Sequence, residues 1–139
     1  MDVQLNWWAV LLATASSMVV GMVWYARPVF GNTWMKAAGL DPKKMNSSAT
    51  MPIMLALVMS FLTAFVLAHM SFLANHFYHG SFFHDAVTTA FWVWLGFAMA
   101  TLVTHYSFEN KPAVLIWLNV GNRFVTIMVM GLIIGWLHP

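Results

Sequence analysis

The sequence predicts an all-α integral membrane protein with a single transmembrane domain of four helices. The 139 residues are 61% hydrophobic and 7% charged, whereas a soluble domain is usually about 25% charged. The mean hydropathy is +0.75. Short polar connections separate four hydrophobic runs, each close to the roughly 20 residues that a helix needs to cross a bilayer. The lipid bilayer is therefore the expected environment of most of the chain.

Composition also excludes several classes of function. The chain has no cysteine, which rules out disulfides and thiolate metal sites. The formal net charge is only +2 and the basic residues are scattered, so a nucleic-acid surface is not expected. The sequence contains no recognisable nucleophile–base pair, phosphate-binding loop or nucleotide fold. We therefore expect neither an enzyme nor a bound cofactor.

The first predicted span covers residues 5–25. Trp7 and Trp8 at its start and Trp24 and Tyr25 at its end are typical anchors at the two membrane interfaces. A signal peptide has a basic segment before its hydrophobic run and a small-residue cleavage site after it. This run has neither feature. We expect this helix to be permanent.

An amphipathic interfacial segment is predicted directly after the first span. Pro28 interrupts regular helix, and residues 29–40 then place apolar side chains such as Trp34 on one face and Lys36 on the other. A short polar linker at residues 41–50 leads to the second span.

The remaining three spans are predicted at residues 51–74, 86–104 and 113–137. A short histidine-rich connection, NHFYHGSFFHD at residues 75–85, joins the second span to the third. Pro112 stands at the favourable first position of the fourth helix, where its missing N–H costs no hydrogen bond.

The distribution of basic residues predicts the orientation in the membrane. All five Lys and Arg residues outside the spans lie in the first and third connections, and none lies in the N-terminal flank, the second connection or the C-terminal tail. Positive residues favour the cytoplasmic side. We therefore expect both termini and the histidine-rich connection outside. The five residues are Arg27, Lys36, Lys43, Lys44 and Lys111.

Both ends of the chain resemble a known family. The stretches NWWAVLLA (6–13), GMVWYARPVFGNTWMKAAGL (21–40) and FENKPAVLIWLNVGNRFVTIMVMGLIIGW (108–136) are similar to small bacterial membrane proteins catalogued as a domain of unknown function. The shared features are an Asn-Trp start, Gly-x-x-Trp-Tyr, Phe-Gly-x-x-Trp and a Phe-Glu-x-x-Pro turn. The resemblance implies a four-helix protein of a bacterial inner membrane. It implies no activity.

A polar stripe on the fourth span is the main candidate site. Arg123 lies eleven positions after Pro112, or roughly 16 Å into a hydrocarbon layer about 30 Å thick. An arginine at that depth costs at least about 2.5 kcal/mol. The four residues Asn119, Asn122, Arg123 and Thr126 fall at positions i, i+3, i+4 and i+7, so they share one face of the helix. Such a stripe should face other helices or a wet cavity.

Two interpretations of Arg123 stay open. The arginine could hold an anionic solute, a lipid headgroup or a carboxylate of a partner protein. Alternatively, it could be a structural residue that is hydrogen-bonded to Asn119, Asn122, or to Ser16 and Ser17 at a similar depth of the first span. Hydrogen bonds to backbone carbonyls, or a side chain that snorkels along the helix, belong to the same interpretation. No Asp or Glu lies within any predicted span, so cation export through an intramembrane carboxylate is disfavoured.

The histidine-rich connection suggests a metal site. His76, His79, His84 and Asp85 could together bind Zn²⁺ or Cu²⁺. The alternative is that imidazole, tyrosine and phenylalanine side chains simply lie among lipid headgroups. We expect no stoichiometric metal after purification.

Small residues predict close helix packing. Gly131 with Gly135, Gly96 with Ala100, and Gly21 are spaced as in membrane helix contacts. We expect these contacts within one chain rather than in a dedicated dimer motif.

Three functions are consistent with these observations. The first is a non-enzymatic structural or accessory membrane subunit, present as a homo-oligomer or within a membrane complex. The second is a small oligomeric transporter or channel that uses Arg123 for an anionic or polar solute. The third is an outward-facing metal-binding membrane protein.

Overall fold

The fold was described from a computed structural model, which covers residues 3–41, 43 and 49–139. Lys44 and most of the predicted linker at residues 41–50 lie outside these ranges. Within them, four helices are long and apolar enough to cross a membrane. They are the first span (Trp7–Trp24), the second span (Thr50–Tyr78), the third span (Phe82–Phe108) and the fourth span (Ala113–Trp136). The predicted fold class is confirmed.

The second and third spans extend beyond their predicted bounds. The predicted eleven-residue connection is largely helical, and only residues 79–81 separate the two helices. His79 closes the second span in a left-handed conformation with φ 55°. The predicted bounds followed the ends of the apolar runs. The helices continue beyond those ends, because a helix satisfies its own backbone hydrogen bonds in water as well as in lipid. His76 therefore belongs to the second span, and His84 and Asp85 belong to the third.

The third span changes helix type near its middle. Helix Phe82–Val93 is followed by a π-helical segment, Trp94–Met99, and then by helix Ala100–Phe108. Here the Trp94 indole donates a hydrogen bond of 3.3 Å to the Val120 carbonyl oxygen. Its ring also lies 4.7 Å from that of Phe124. The wider turn thus attaches the third span to the fourth close to Arg123.

A short helix follows the first span, as the sequence predicts. Its backbone passes through a π-helical turn at Arg27–Gly31 and then forms helix Asn32–Ala38. The Trp34 ring lies 5.2 Å from the Tyr25 ring and so holds the helix against the end of the first span. Its position among lipid headgroups stays a prediction.

The four spans form a bundle in which each packs on its sequence neighbours and the first also packs on the fourth. We call the end with the first and third connections the basic end, and the opposite end the histidine end. At the histidine end the Asn6 side chain caps the first span and donates a hydrogen bond of 2.6 Å to the Leu137 carbonyl oxygen. The core lies toward this end and consists of small and aliphatic side chains: Ala9, Val10, Ala13, Ala64, Leu67, Ala68, Ala86, Ala90, Ile127, Met130 and Ile134.

Glycine packing is confirmed for the fourth span only. A Cβ atom added to Gly131 would lie 2.5 Å from that of Ala90, and one added to Gly135 would lie 3.1 Å from the Cα of Phe83. Both glycines therefore bring the third span close within the same chain. The prediction was wrong for Gly21 and Gly96, because an added Cβ would meet nothing within 4 Å at either position.

The second span is packed along only half of its length. Its buried residues all lie toward the histidine end: Ser60, Ala64, Leu67, Ala68 and Ser71. By contrast, residues 51–59 are exposed on every face of the helix. The basic-end half of this helix therefore stands away from the other three spans, and a cavity lies between them.

Candidate binding cavity at the basic end

A cavity of about 740 Å³ occupies the space beside the second span. All four spans contribute to its walls, from the basic end to about the middle of the bundle. Its volume is in the range of pockets that hold small molecules, about 300–1,000 Å³. The lining residues are Ser17, Met18, Gly21, Met22, Tyr25, Ile53, Met54, Leu55, Ala56, Leu57, Met59, Ser60, Leu102, Tyr106, Asn119, Asn122, Arg123 and Thr126.

The polar stripe of the fourth span faces this cavity. Asn119, Asn122, Arg123 and Thr126 all line it, as expected for polar residues on one helix face. Arg123 is ten residues into the span, or about 15 Å along the helix. Its side chain is exposed, and it makes no hydrogen bond or ion pair with any residue that the structure describes. The guanidinium is therefore available to a ligand.

Asn122 has an unused donor buried in the cavity wall. The residue is only 8% exposed, yet its side-chain nitrogen has no hydrogen-bond partner among the described residues. A buried polar group without a partner costs about 1–3 kcal/mol. The nitrogen itself is buried in the cavity wall and is not exposed to the cavity.

Two tyrosines from other helices join the stripe. The Tyr25 hydroxyl donates a hydrogen bond of 2.7 Å to Asn119 Oδ1, and Asn119 Nδ2 donates one of 3.3 Å to the Tyr106 hydroxyl oxygen. This chain of hydrogen bonds ties the first and third spans to the fourth. It also leaves the Tyr106 hydroxyl hydrogen without an acceptor among the described residues, so Tyr106 is another donor at the cavity wall.

Sequence reasoning assigned neither tyrosine to the site. Each lies near the end of a hydrophobic run, where tyrosine is common as an interface anchor. Their depth in the membrane could have indicated that they join the site. Asn119 lies four residues from Arg123 toward the basic end, where Tyr25 and Tyr106 also lie. A polar stripe that continues toward the interface meets the interfacial tyrosines of neighbouring helices.

Only one of the two predicted serines reaches the cavity. Ser17 lines it, but its hydroxyl donates a hydrogen bond of 2.7 Å to the Thr14 carbonyl oxygen. Ser16 is not among the lining residues and donates to the Ala13 carbonyl oxygen at 2.7 Å. Neither serine is bonded to Arg123 in the structure. The opposite wall contributes Ser60, which the sequence did not single out.

The electrostatic character of the cavity is simple. Arg123 carries a full positive charge, and the described lining residues include no Asp or Glu. Arg123 and Tyr106 present N–H and O–H donors, whereas the Asn119 oxygen is already used by Tyr25. A cluster of donors around an unpaired guanidinium suits a carboxylate or phosphate group, which arginine binds in bidentate fashion.

At the histidine end, the predicted metal ligands are spread over two helices and a turn. The described residues contain no group of three or more histidine or acidic side chains placed to hold a metal ion. His84 Nδ1 lies 3.6 Å from Asp85 Oδ1, and the His76 and His79 ring centres are 6.1 Å apart. The hypothesis of a metal site there has no geometric support among the described residues.

Asp85 instead takes part in hydrogen bonds that connect the second span to the third. The carboxylate is 7% exposed and accepts a hydrogen bond of 2.8 Å from Asn75 Nδ2. The same amide also donates to the Gly80 carbonyl oxygen at 3.0 Å. Asn75 therefore connects the end of the second span, the turn and the start of the third.

Four helices long and apolar enough to cross a membrane are consistent with a multi-pass helical membrane protein, and a donor-lined cavity lies at its basic end. The sequence matches the family described as Protein of unknown function (DUF1761) over residues 8–135. The chain therefore belongs to this family, and the expected membership of a family of unknown function is confirmed. No curated protein and no solved structure matches it.

Proposed function

We propose that this protein binds the anionic group of a solute in the basic-end cavity and acts as a small membrane carrier or transporter. The observation that supports this most directly is Arg123, which faces the cavity without a carboxylate or hydrogen-bond partner among the described residues. The bound molecule is released unchanged, so the proposal is non-enzymatic.

The geometry favours this over a purely structural role for Arg123. A structural arginine within a membrane offsets its desolvation by hydrogen-bonding to neighbouring helices. Two of the candidate partners are engaged elsewhere: Asn119 Oδ1 accepts from Tyr25, and the Ser17 hydroxyl donates to its own helix. A buried Asn122 amide nitrogen beside the arginine is also unused. Two neighbouring unsatisfied groups suggest a ligand rather than a packing contact.

Binding would use each wall residue in a defined way. Arg123 supplies the charge, and Tyr106 donates a hydrogen bond to an oxygen of a carboxylate or phosphate. Tyr25 holds Asn119, and through it the rim of the cavity, in position. Such charge-assisted hydrogen bonds are roughly twice as strong as neutral ones.

The proposal is tested by anion-dependent stabilisation of the purified protein in nanodiscs of zwitterionic phosphatidylcholine. The probes are inorganic phosphate, acetate, dodecanoate and dodecyl phosphate, with dodecanol and dodecyltrimethylammonium as neutral and cationic counterparts. We expect at least one anion to raise the melting temperature of the wild type and of Arg123→Lys. Arg123→Gln should not respond.

Lys111→Gln is the matched control, because it removes a positive charge of the basic end that does not line the cavity. It should respond like the wild type. If no anion stabilises the wild type, or if Arg123→Gln responds equally, the proposed function is wrong and the structural interpretation of Arg123 gains support.

Assembly into a homo-oligomer, location in a bacterial inner membrane, and an outward position of both termini stay predictions beside this proposal.

A further inference from the structure

We infer that the ligand is an anionic amphiphile with a hydrocarbon chain, which enters the basic-end cavity sideways from the bilayer. This inference rests on the proposed function, because it assigns the anionic group to Arg123. It adds the chemical class of the rest of the molecule and the route by which that molecule reaches the site.

The first observation is that the cavity has two chemically different walls. The fourth span contributes the polar stripe, whereas the second span contributes apolar side chains up to Met59 and only then Ser60. Met18 and Met22 of the first span and Leu102 of the third extend the apolar wall. A small hydrophilic anion would leave this surface without a partner, but a hydrocarbon chain would cover it.

The second observation is the continuity of the cavity with the sides of the second span. Residues 53–57 all line the cavity, and five consecutive residues cover more than one turn of a helix. They therefore point in every direction around the helix axis. The cavity reaches both flanks of the second span, so it opens toward the region that lipid chains occupy.

The third observation concerns depth. Arg123 and Ser60 each lie ten residues into their spans from the basic end, or about 15 Å along the helix. An anionic group at this depth lies near the middle of the hydrocarbon layer. A chain attached to it lies alongside the apolar wall without leaving the membrane, whereas a free inorganic ion has no chain to hold it in the bilayer.

The unfilled space beside Gly21 makes the inference testable. Gly21 lines the cavity, and a Cβ at this position meets nothing within 4 Å. Gly21→Phe therefore fills cavity volume without a backbone clash. Gly96 also has nothing within 4 Å of an added Cβ, but it lies outside the cavity. Gly96→Phe is therefore the matched control.

The experiment uses photo-crosslinking in nanodiscs of zwitterionic phosphatidylcholine. The probe is a twelve-carbon carboxylic acid with a diazirine in its chain, and labelled peptides are located by mass spectrometry. We expect labelling at the apolar wall, including Met54, Met59 and Met22. It should fall about tenfold or more, equivalent to about 1.4 kcal/mol, in Gly21→Phe and in Arg123→Gln. Gly96→Phe should label like the wild type.

Competition separates this inference from the proposed function. Unlabelled dodecanoate and dodecyl phosphate should displace the probe, and dodecanol at the same mole fraction should not. If acetate or inorganic phosphate competes as well as the chain-bearing anions, the anion site stands and the amphiphile inference is wrong. If labelling follows lipid exposure alone and neither Gly21→Phe nor Arg123→Gln changes it, the amphiphile inference is also wrong. Should Gly21→Phe fail to fold, Gly21→Leu replaces it as the smaller filling variant.

Discussion

The Tyr25 hydroxyl donates a 2.7 Å hydrogen bond to the Asn119 side chain, across 94 positions of sequence. This contact joins the last turn of the first span to the polar stripe of the fourth. It stands at the rim of the basic-end cavity, where the second span is too far away to support either helix. The rim is therefore held by hydrogen bonds, whereas the histidine end is held by close apolar packing.

Removing that hydrogen bond should weaken the bundle measurably. Tyr25→Phe leaves the Asn119 oxygen without its donor, which should lower the free energy of unfolding by about 0.5–1.5 kcal/mol. Tyr106→Phe should cost less, because its hydrogen bond from Asn119 is longer, at 3.3 Å. Thermal melting in detergent measures both, with Tyr78→Phe as the exposed control. Equal melting of all three variants and the wild type would show that the rim contact contributes nothing.

Replacing Arg123 by leucine should leave the protein folded. The loss from breaking a buried ion pair comes largely from the opposite charge left behind, and no described carboxylate pairs with this arginine. The substitution also removes an intramembrane charge that costs at least about 2.5 kcal/mol. We expect Arg123→Leu to melt close to the wild type, and Arg123→Glu to be worse. Size-exclusion chromatography and thermal melting test this. Aggregation of Arg123→Leu would make the arginine structural.

Adding a methyl group at Gly131 should be strongly destabilising. A Cβ there would lie 2.5 Å from that of Ala90, so Gly131→Ala must push the third and fourth spans apart. Overpacking of this kind typically costs about 1–3 kcal/mol. Gly96→Ala should be neutral or slightly stabilising, because nothing lies near its added Cβ. If the two variants unfold at the same temperature in detergent, the close approach of the two spans is not needed for stability.

The predicted orientation is open to a direct test, because the chain has no cysteine of its own. Two exposed positions are replaced by cysteine in separate variants. Tyr78 lies at the histidine end, and Thr33 lies on the short helix at the basic end. A membrane-impermeant maleimide applied to intact cells should label Tyr78→Cys. Thr33→Cys should react only after the cells are permeabilised, because positive residues favour the cytoplasmic side. The reverse pattern would overturn the predicted topology.

The sequence was sufficient to predict the four spans and the common face of Asn119, Asn122, Arg123 and Thr126. Both depend on local patterns, namely hydropathy and helical spacing. It could not reveal that the second span is half-packed. Leucine and methionine are equally suited to lipid and to a protein core, so residues 51–59 and the packed half of the helix look alike. Local sequence likewise does not show which glycine faces another helix, so close packing was predicted for both Gly21 and Gly131.

Side-chain partners that depend on tertiary structure were also beyond local patterns. Tyr25 and Tyr106 were consistent with interface anchors, and only the packing of three helices brings both hydroxyls to Asn119. Similarly, Ser16 and Ser17 lie one position apart and thus point about 100° apart around the helix. Which of the two faces the fourth span depends on the rotation of the first, and the structure selects Ser17.

The half-packed second span has an energetic consequence for the shape of the cavity. A helix carries its backbone hydrogen bonds with it wherever it stands in a bilayer. Residues 51–59 would therefore exchange only lipid contacts for protein contacts on moving inward, and these are similar in dispersion energy. The histidine-end half of the second span is fixed by the burial of Leu67 and Ser71. We expect residues 51–59 to have many positions of nearly equal energy, and the occupant of the cavity, rather than the fold, to determine which one is adopted.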